Sequence, residues 1–399
     1  MLRCLPILIL FLFFQAGHTQ SQYHFQHFGT QEGLESDGNY AVVQDSLGFL
    51  WVHHPFGLSR FDGYNFKVYK YDPADSLSSP GSVFDGRIFL DRSGHVWTKN
   101  HQVNEPDFSL TLTRYDNKAD RFVHYHPDMQ GAFAFQFCFD KNNPVLWIGT
   151  SFPGQGLFRF NTETLETKRL LNAPGPLPDL TRGSPIEQRN AIFAISDQGS
   201  FLLLATWAGL WKFDKKTEAF SRPICNPGDS TLLYHSPIYA IYDKSVDKSN
   251  DIWLRVFGGF TANWQALVSV NEDFSIVQRL NFPGGIQFGR PAHTYVIDRD
   301  QDGVFWISTS NKGLLRYDPA DSSLINILHA PDDPRSLLSN SLSSVMVDRD
   351  RNVWVTGDRG ISKLQRQSLR FYNFDVGGVD SPPIIYNANK KDYFGCTQE

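Results

Sequence analysis

The 399-residue sequence has few cysteines and no cluster of basic residues. Only Cys138, Cys225 and Cys396 follow the N-terminal segment, and their number and wide spacing fit neither a disulfide framework nor a zinc site. Lysine and arginine are dispersed and the net charge is −5, which argues against a nucleic-acid partner. We therefore expect free thiols, no metal and no cofactor.

Long apolar runs are absent beyond the first 14 residues, and no later stretch approaches eighteen apolar residues. The run from Leu5 to Phe14 follows Arg3 and precedes small or polar residues, which is typical of a cleavable signal peptide. It is too short to span a bilayer. The sequence thus predicts an exported chain with a signal peptide at residues 1–22 and no membrane contact after it.

Familiar catalytic motifs are missing as well. The sequence contains no G-x-S-x-G, H-E-x-x-H or C-x-x-C motif, no phosphate-binding glycine loop and no kinase signature. Asp298, Asp300 and Asp302 match the first half of a calcium loop, but Thr309 stands where the loop needs a bidentate Glu. A hairpin turn is the better interpretation of that run, and we expect the chain to be non-catalytic by itself.

Aromatic residues and turn formers are abundant: 14% of the chain is aromatic, with 31 Gly and 22 Pro. Aromatic side chains favour the pleated surface of a sheet, and Gly and Pro favour tight turns. This composition predicts an all-β protein made of many short strands.

One unit recurs along the chain with a period near 50 residues. Its most visible part is a strand that carries a central tryptophan, preceded by an Asp- and Gly-containing turn and followed by a second strand, as in DSLGFLWVHHPFGLSRFD. The tryptophans are Trp51, Trp97, Trp147, Trp253, Trp306 and Trp354, and Leu203 takes this position in one unit. Four short strands can be placed in each unit.

This period and strand count are typical of propeller blades, whereas solenoid repeats are generally shorter. A single unit cannot bury both apolar faces of its sheet, so the units must pack on one another and close into a ring. The sequence predicts a seven-bladed β-propeller of four-stranded antiparallel blades over residues 23–376. The six tryptophans should lie between blades, and Asp45, Asp91, Asp298 and Asp348 should open the hairpin turns.

The pattern V-x-x-D-x-x-G-x-L-W-I-G-T-x-x-G-L-x-R-Y/F-D, the opening GLESDGNYAVVQDSLGFLW and the link DPADSLSSPGSV resemble the two-component regulator propeller family. This resemblance implies the periplasmic sensor region of a hybrid two-component histidine kinase of the Bacteroidetes type. It also implies a further propeller and output domains in the parent protein. Residues 377–399 look like the incomplete start of an eighth repeat or a tail, so we expect an N-terminal fragment.

Two segments compete for the outer strand that would close the ring. YHFQHF at residues 23–28 and RFYNF at residues 370–374 both alternate as an outer strand does. Either would cover an otherwise exposed sheet edge. The sequence leaves this choice open.

Ligand-binding side chains are expected directly after the tryptophan positions and in the links between blades, because these loops should open on one face of the ring. They differ between blades, unlike the frame. The candidates are His53, His54, Lys99, His101, Arg189, Trp207, Arg255, Trp264, Asn311, Lys312 and Arg359. His53 and His54 are adjacent in a strand and should point to opposite faces, which disfavours a shared metal.

Aromatic faces beside Arg, Lys and Asn donors suit an oligosaccharide or another small ligand. The resemblance implies the same class, since sensors of that family respond to glycan breakdown products. Two alternatives stay open. One is a polysaccharide lyase or glycosidase on a propeller, and the other is a docking platform that binds no ligand here.

Overall fold

The structure is a computed structural model. It describes residues 23–72, 74–79, 87–101, 110–150, 156–170, 191–225, 228, 232–234, 236–242, 251–257, 265–282 and 296–365, and the backbone of 385–387 and 392–394. The predictions for residues 1–22, for RFYNF at 370–374 and for Arg189 and Trp264 lie outside these residues, as does the side chain of His101.

The first blades follow a short N-terminal strand and a 3-10 turn at Thr30–Glu32. The strands are β1 (Phe25–Phe28); in blade one β2 (Ala41–Gln44), β3 (Leu50–His54), β4 (Gly57–Phe61) and β5 (Phe66–Lys70); in blade two β6 (Arg87–Leu90), β7 (Val96–His101), β8 (Leu110–Asp116) and β9 (Arg121–Tyr125); in blade three β10 (Ala134–Phe139), β11 (Val145–Thr150), β12 (Leu157–Asn161) and β13 (Thr167–Leu170).

The remaining blades continue in the same order. Their strands are, in blade four, β14 (Ile192–Asp197), β15 (Phe201–Thr206), β16 (Gly209–Asp214) and β17 (Phe220–Ser221); in blade five β18 (Ile238–Tyr242), β19 (Ile252–Phe257), β20 (Gln265–Val270) and β21 (Ile276–Asn281); in blade six β22 (Ile297–Arg299), β23 (Phe305–Ser308), β24 (Leu314–Asp318) and β25 (Ser323–Ile327); in blade seven β26 (Leu342–Val347), β27 (Val353–Gly357) and β28 (Gly360–Leu364). A separate hairpin pairs β29 (Ile385–Asn387) with β30 (Asp392–Phe394).

Each blade is a four-stranded antiparallel sheet, and in blades one to six the strands follow in sequential order from an inner strand to an outer one. Seven apolar clusters lie one between each pair of neighbouring blades, and together they form the core of the ring. The predicted seven-bladed propeller is therefore confirmed. No helix among the described residues has the length and apolarity needed to cross a membrane.

The N-terminal strand closes the ring. β1 pairs antiparallel with β28, with Phe25 opposite Leu364 and Phe28 opposite Ile361. It thereby becomes the fourth, outermost strand of blade seven. Of the two candidate segments, YHFQHF takes this place in the structure.

The six repeat tryptophans lie between blades, as predicted, and none is more than 4% exposed. The turn carboxylates hold them. In blade one, Asp45 Oδ1 accepts the backbone N–H groups of Leu47 and Phe49, and Oδ2 accepts the indole N–H of Trp51 at 2.8 Å. Asp91, Asp140 and Asp348 bind their own tryptophans in the same way.

The predicted role of Asp298 is wrong. Asp300 caps the blade-six turn, since its Oδ1 accepts the N–H of Val304 and its Oδ2 accepts the indole of Trp306 at 3.0 Å. Asp298 lies two residues earlier, on the inner strand, and its Oδ2 accepts the N–H of Val347 in blade seven at 2.9 Å. In a run of alternating aspartates, only the position of the turn decides which one caps it.

Blade four has Leu203 in place of a tryptophan, so its turn carboxylate, Asp197, receives no indole N–H from this position. A lysine takes the place of this donor. Lys215 Nζ lies 2.6 Å from Asp197 Oδ1 and 2.6 Å from Asp140 Oδ2, joining blades three and four. Burial by itself would raise the pKa of Asp140, but the Lys215 ammonium and the surrounding N–H donors outweigh it and hold that pKa at about 2.

This ion pair predicts acid sensitivity. The pKa of Asp140 in the folded protein is below that of an unfolded Asp, so its contribution is complete above about pH 4 and is lost as the pH falls towards 2. Asp140→Asn should lower the free energy of unfolding by about 2 kcal/mol at pH 6 and by much less at pH 2.5. Urea unfolding across this range measures both. Asp332→Asn, at an exposed loop position, is the control, and an equal Asp140→Asn effect at both pH values would contradict the assignment.

Candidate functional site

The loops that follow the second strands and the links that enter the inner strands open at one end of the channel. Ala134 at the start of β10 is opposite Thr150 at the end of β11, and Ile192 is opposite Thr206 in the same way. We call this end the link mouth and the end with the Asp-containing turns the turn mouth. The described candidates lie near the end of a second strand or in the turn after it, and therefore towards the link mouth.

Five aromatic side chains from three consecutive blades run along the link mouth, and we call them the aromatic arc. Phe135 lies 5.8 Å from Phe193, which lies 6.0 Å from Trp207 and 4.8 Å from Tyr239. Tyr239 lies 5.6 Å from Phe257. Phe193 and Trp207 are buried, while Phe135, Tyr239 and Phe257 keep part of their surface exposed. The arc thus presents three partly exposed aromatic rings, which pack against the two buried ones.

Two buried cations in blade two lie against the arc. Arg87 and Lys99 face each other across β6 and β7. The guanidinium of Arg87 lies 4.2 Å from the ring centre of Phe135. Lys99 Nζ donates to the carbonyl of Ala134 at 2.9 Å and lies 4.9 Å from the ring centre of Phe133. Both cations are therefore positioned by blade three.

A third buried cation, Arg255, lies at the other end of the arc. One of its N–H groups donates to Gln265 Oε1 at 3.1 Å, and its guanidinium lies 5.7 Å from the ring centre of Tyr239. Burial lowers the pKa of Arg255 and raises the pKa of Tyr239 to about 12. Tyr239 is thus a neutral hydroxyl at physiological pH, next to a fixed positive charge.

The histidines predicted in blade one are both buried. Nδ1 of His54 accepts the N–H of Phe56 at 3.2 Å, so its Nε2 carries the proton and donates to Ser59 Oγ at 3.0 Å. Burial lowers the pKa of His54 to about 4. His53 lies beside Tyr40, with ring centres 5.6 Å apart.

The candidates in blades six and seven are exposed. Asn311 and Lys312 occupy the turn after β23, where the N–H of Lys312 donates to Thr309 Oγ1 at 2.8 Å. Arg359 lies in the turn after β27. These three residues lie on blades six and seven, outside the three blades that carry the aromatic arc, so the structure brings together Lys99, Trp207 and Arg255 but not Asn311, Lys312 and Arg359.

Sequence reasoning missed Phe135, Phe193, Tyr239 and Arg87, which all lie at the start of an inner strand. From the sequence, ligand-binding residues are expected only after the tryptophan positions and in the links, and the inner strands are treated as purely structural. A signal was available, because aromatic residues recur at the first positions of these strands in blades three, four and five. Those positions are the ones that face the link mouth.

Comparison with known proteins places this architecture. No protein-family model matches the chain. Its fold is that of solved extracellular domains from hybrid two-component systems of B. thetaiotaomicron. BT3049 superposes with a TM-score of 0.61 at 18% identity, over 91% of this chain and 47% of that one. BT4673 gives 0.60 at 17% identity, over 93% and 46%.

Two further proteins match the chain, one from a different kind of organism and one over a short segment only. The propeller domain of Cps50 (Swd1) from Myceliophteria thermophila superposes with a TM-score of 0.57 at 11% identity, over 86% of this chain and all of that one. Histidine kinase P4 from Formosa agariphila is 38% identical over 72 residues, which are 18% of this chain and 5% of that protein. The chain thus spans about half of the extracellular domains it matches and a small part of the kinase.

Proposed function

We propose that this chain is the ligand-sensing propeller of a two-component receptor, working in the periplasm, and that its link mouth binds oligosaccharides released by glycan breakdown. The aromatic arc with Arg87, Lys99 and Arg255 around it is the observation that carries the proposal. The C–H faces of sugar rings stack on aromatic rings, and guanidinium and ammonium groups bind hydroxyls and carboxylates. Pockets of this type use a few fixed polar groups in an apolar setting.

The receptor role draws support from the similar proteins. The solved domains with this fold are titled extracellular domains of hybrid two-component systems, and the short sequence match is a histidine kinase. In this proposal the parent protein adds a further propeller, a membrane helix and a kinase. Ligand binding would shift the receptor between two arrangements by the difference in its affinity for them.

Calorimetric titration of the protein with a panel of oligosaccharides tests the proposal. We expect binding by at least one of them, and Tyr239→Ala should weaken it by about tenfold, because a ring stack is worth about 1.4 kcal/mol. Tyr64→Ala removes an aromatic ring that is 90% exposed on the outer side of blade one, so it is the matched control.

Two outcomes would contradict the sensor. A folded protein that gives no heat with any oligosaccharide has no independent site at the link mouth, and the docking platform becomes the better hypothesis. Cleavage of an added oligosaccharide, detected by chromatography of the products, would instead establish that the protein is an enzyme.

A further inference from the structure

The turn mouth contains a cavity of about 800 Å³, at the opposite end of the channel from the aromatic arc. Its wall is formed by the last residues of the inner strands and by their turns, from blades one, two, three, four, six and seven. This volume lies within the range of small-molecule sites. The lining residues of the cavity, as far as the structure describes them, include none of the five residues of the aromatic arc.

Aromatic rings form one wall of this cavity. Phe89 of blade two and Phe137 of blade three stack with their ring centres 4.8 Å apart and their planes 5° from parallel. Phe139 lies 6.1 Å from Phe89. Phe89 is almost fully buried, whereas Phe137 and Phe139 keep part of their surface exposed. A flat apolar ring can therefore lie against this wall.

Three exposed cations stand on the rim of the cavity, on blades seven, two and three. Arg349 donates to the carbonyls of Asp45 and Ser46 at 2.7 and 2.9 Å, and Arg92 donates to the carbonyl of Lys141. Within the described ranges, neither arginine nor the Lys141 ammonium forms an ion pair. A guanidinium has five N–H donors, so both arginines retain donors for a ligand.

Each of the five carboxylates that line the cavity accepts hydrogen bonds from the protein itself, and two of them, Asp298 and Asp300, do so through the contacts described for blade six. Asp91 and Asp348 each accept turn N–H groups on Oδ1 and a tryptophan indole on Oδ2. Asp197 accepts the N–H of Lys141 at 2.5 Å and pairs with Lys215. These carboxylates hold the turns together, while the cations hold only carbonyls. The side-chain donors that the rim leaves for a ligand are therefore those of Arg92, Lys141 and Arg349.

We infer that the turn mouth is a second ligand site, and that it takes a carboxylate-bearing ring compound. The ring packs on the Phe89–Phe137 wall, and the carboxylate binds to Arg92 and Lys141, with Arg349 on the same rim. A sugar acid and an aromatic acid share this chemistry. The site is independent of the link mouth and of the proposed sensor role.

Saturation-transfer NMR and calorimetry on the protein test the inference with two matched pairs of probes: glucuronate against glucose, and benzoate against benzamide. We expect at least one acid to bind about tenfold more tightly than its neutral partner, since one charged contact is worth about 1.5 kcal/mol. The pair that shows the difference distinguishes a sugar acid from an aromatic acid. Raising the ionic strength from about 0.05 M to about 0.5 M should weaken the binding of the acid and leave that of its neutral partner unchanged.

Arg92→Gln and Lys141→Gln should each weaken binding of the acid by about threefold, and the double variant by about tenfold. Lys118→Gln removes an exposed lysine from the outer turn of blade two and should change nothing. Tyr239→Ala, at the link mouth, should also leave this binding intact. Equal affinity for acids and neutral partners, no binding of either acid, or loss of binding in Tyr239→Ala alone would overturn the inference.

Discussion

Phe28→Asp is expected to lower the free energy of unfolding by about 4 kcal/mol, because it places an unpaired carboxylate where the ring closes. Phe28 is 7% exposed, and its ring lies 5.5 Å from Trp354 of blade seven and 5.2 Å from Phe61 of blade one. The side chain therefore joins the first and last blades. A charge there must either stay buried without a partner or pull β1 away from β28.

Gln26→Asp is the matched control for this prediction. Gln26 lies on the same strand, is exposed, and is opposite Lys363, so a new carboxylate there remains solvated beside a lysine. Urea unfolding gives the two free energies, and limited proteolysis shows whether the N-terminal strand has detached. Similar unfolding midpoints for the two variants would mean that β1 contributes little to closure.

The closing strand shows where prediction from the sequence ended. Residues 23–28 and 370–374 have the same alternation, and the pairing of β1 with β28 joins residues more than 330 positions apart. Local pattern fixes which face of a strand is apolar, but it does not fix the partner strand. The blades themselves were predictable because each one is a series of local hairpins, so four strands and their turns appear in consecutive residues.

The candidate site was predictable only in part, for a related reason. Lys99, Trp207 and Arg255 depart from the repeat pattern shortly after the tryptophan position, and this departure identified them. Phe193 and Tyr239 sit in inner strands, where an aromatic residue is compatible with the core. Only the closed ring shows that the first positions of neighbouring inner strands meet at one mouth.

A repeat tryptophan such as Trp51 both packs between blades and donates a hydrogen bond to the turn carboxylate. In blade four, two different residues fulfil these two roles. There, Leu203 supplies the apolar contact and Lys215 supplies the donor for Asp197. The turn carboxylate therefore needs a donor whether or not a tryptophan is present. A buried acceptor left without its donor loses about 1–3 kcal/mol, so both parts should be measurable in a blade that has the tryptophan.

Trp51→Ala is expected to lower the free energy of unfolding by about 4 kcal/mol, from the cavity that a deleted core aromatic leaves. Trp51 is fully buried between blades one and two, with its ring 4.5 Å from Tyr115 and 5.4 Å from Tyr69. The loss of the 2.8 Å bond to Asp45 adds to the cost. Urea unfolding of the variant measures the sum.

Trp51→Phe divides this sum, because it keeps most of the ring and removes only the N–H donor. We expect it to cost about 1–2 kcal/mol, chiefly from the unsatisfied Asp45 oxygen. Tyr64→Ala, at an exposed aromatic position of the same blade, should cost less than about 0.5 kcal/mol. If Trp51→Phe proved as costly as Trp51→Ala, the hydrogen bond to the turn, rather than packing between blades, would be the main reason for a tryptophan at this position.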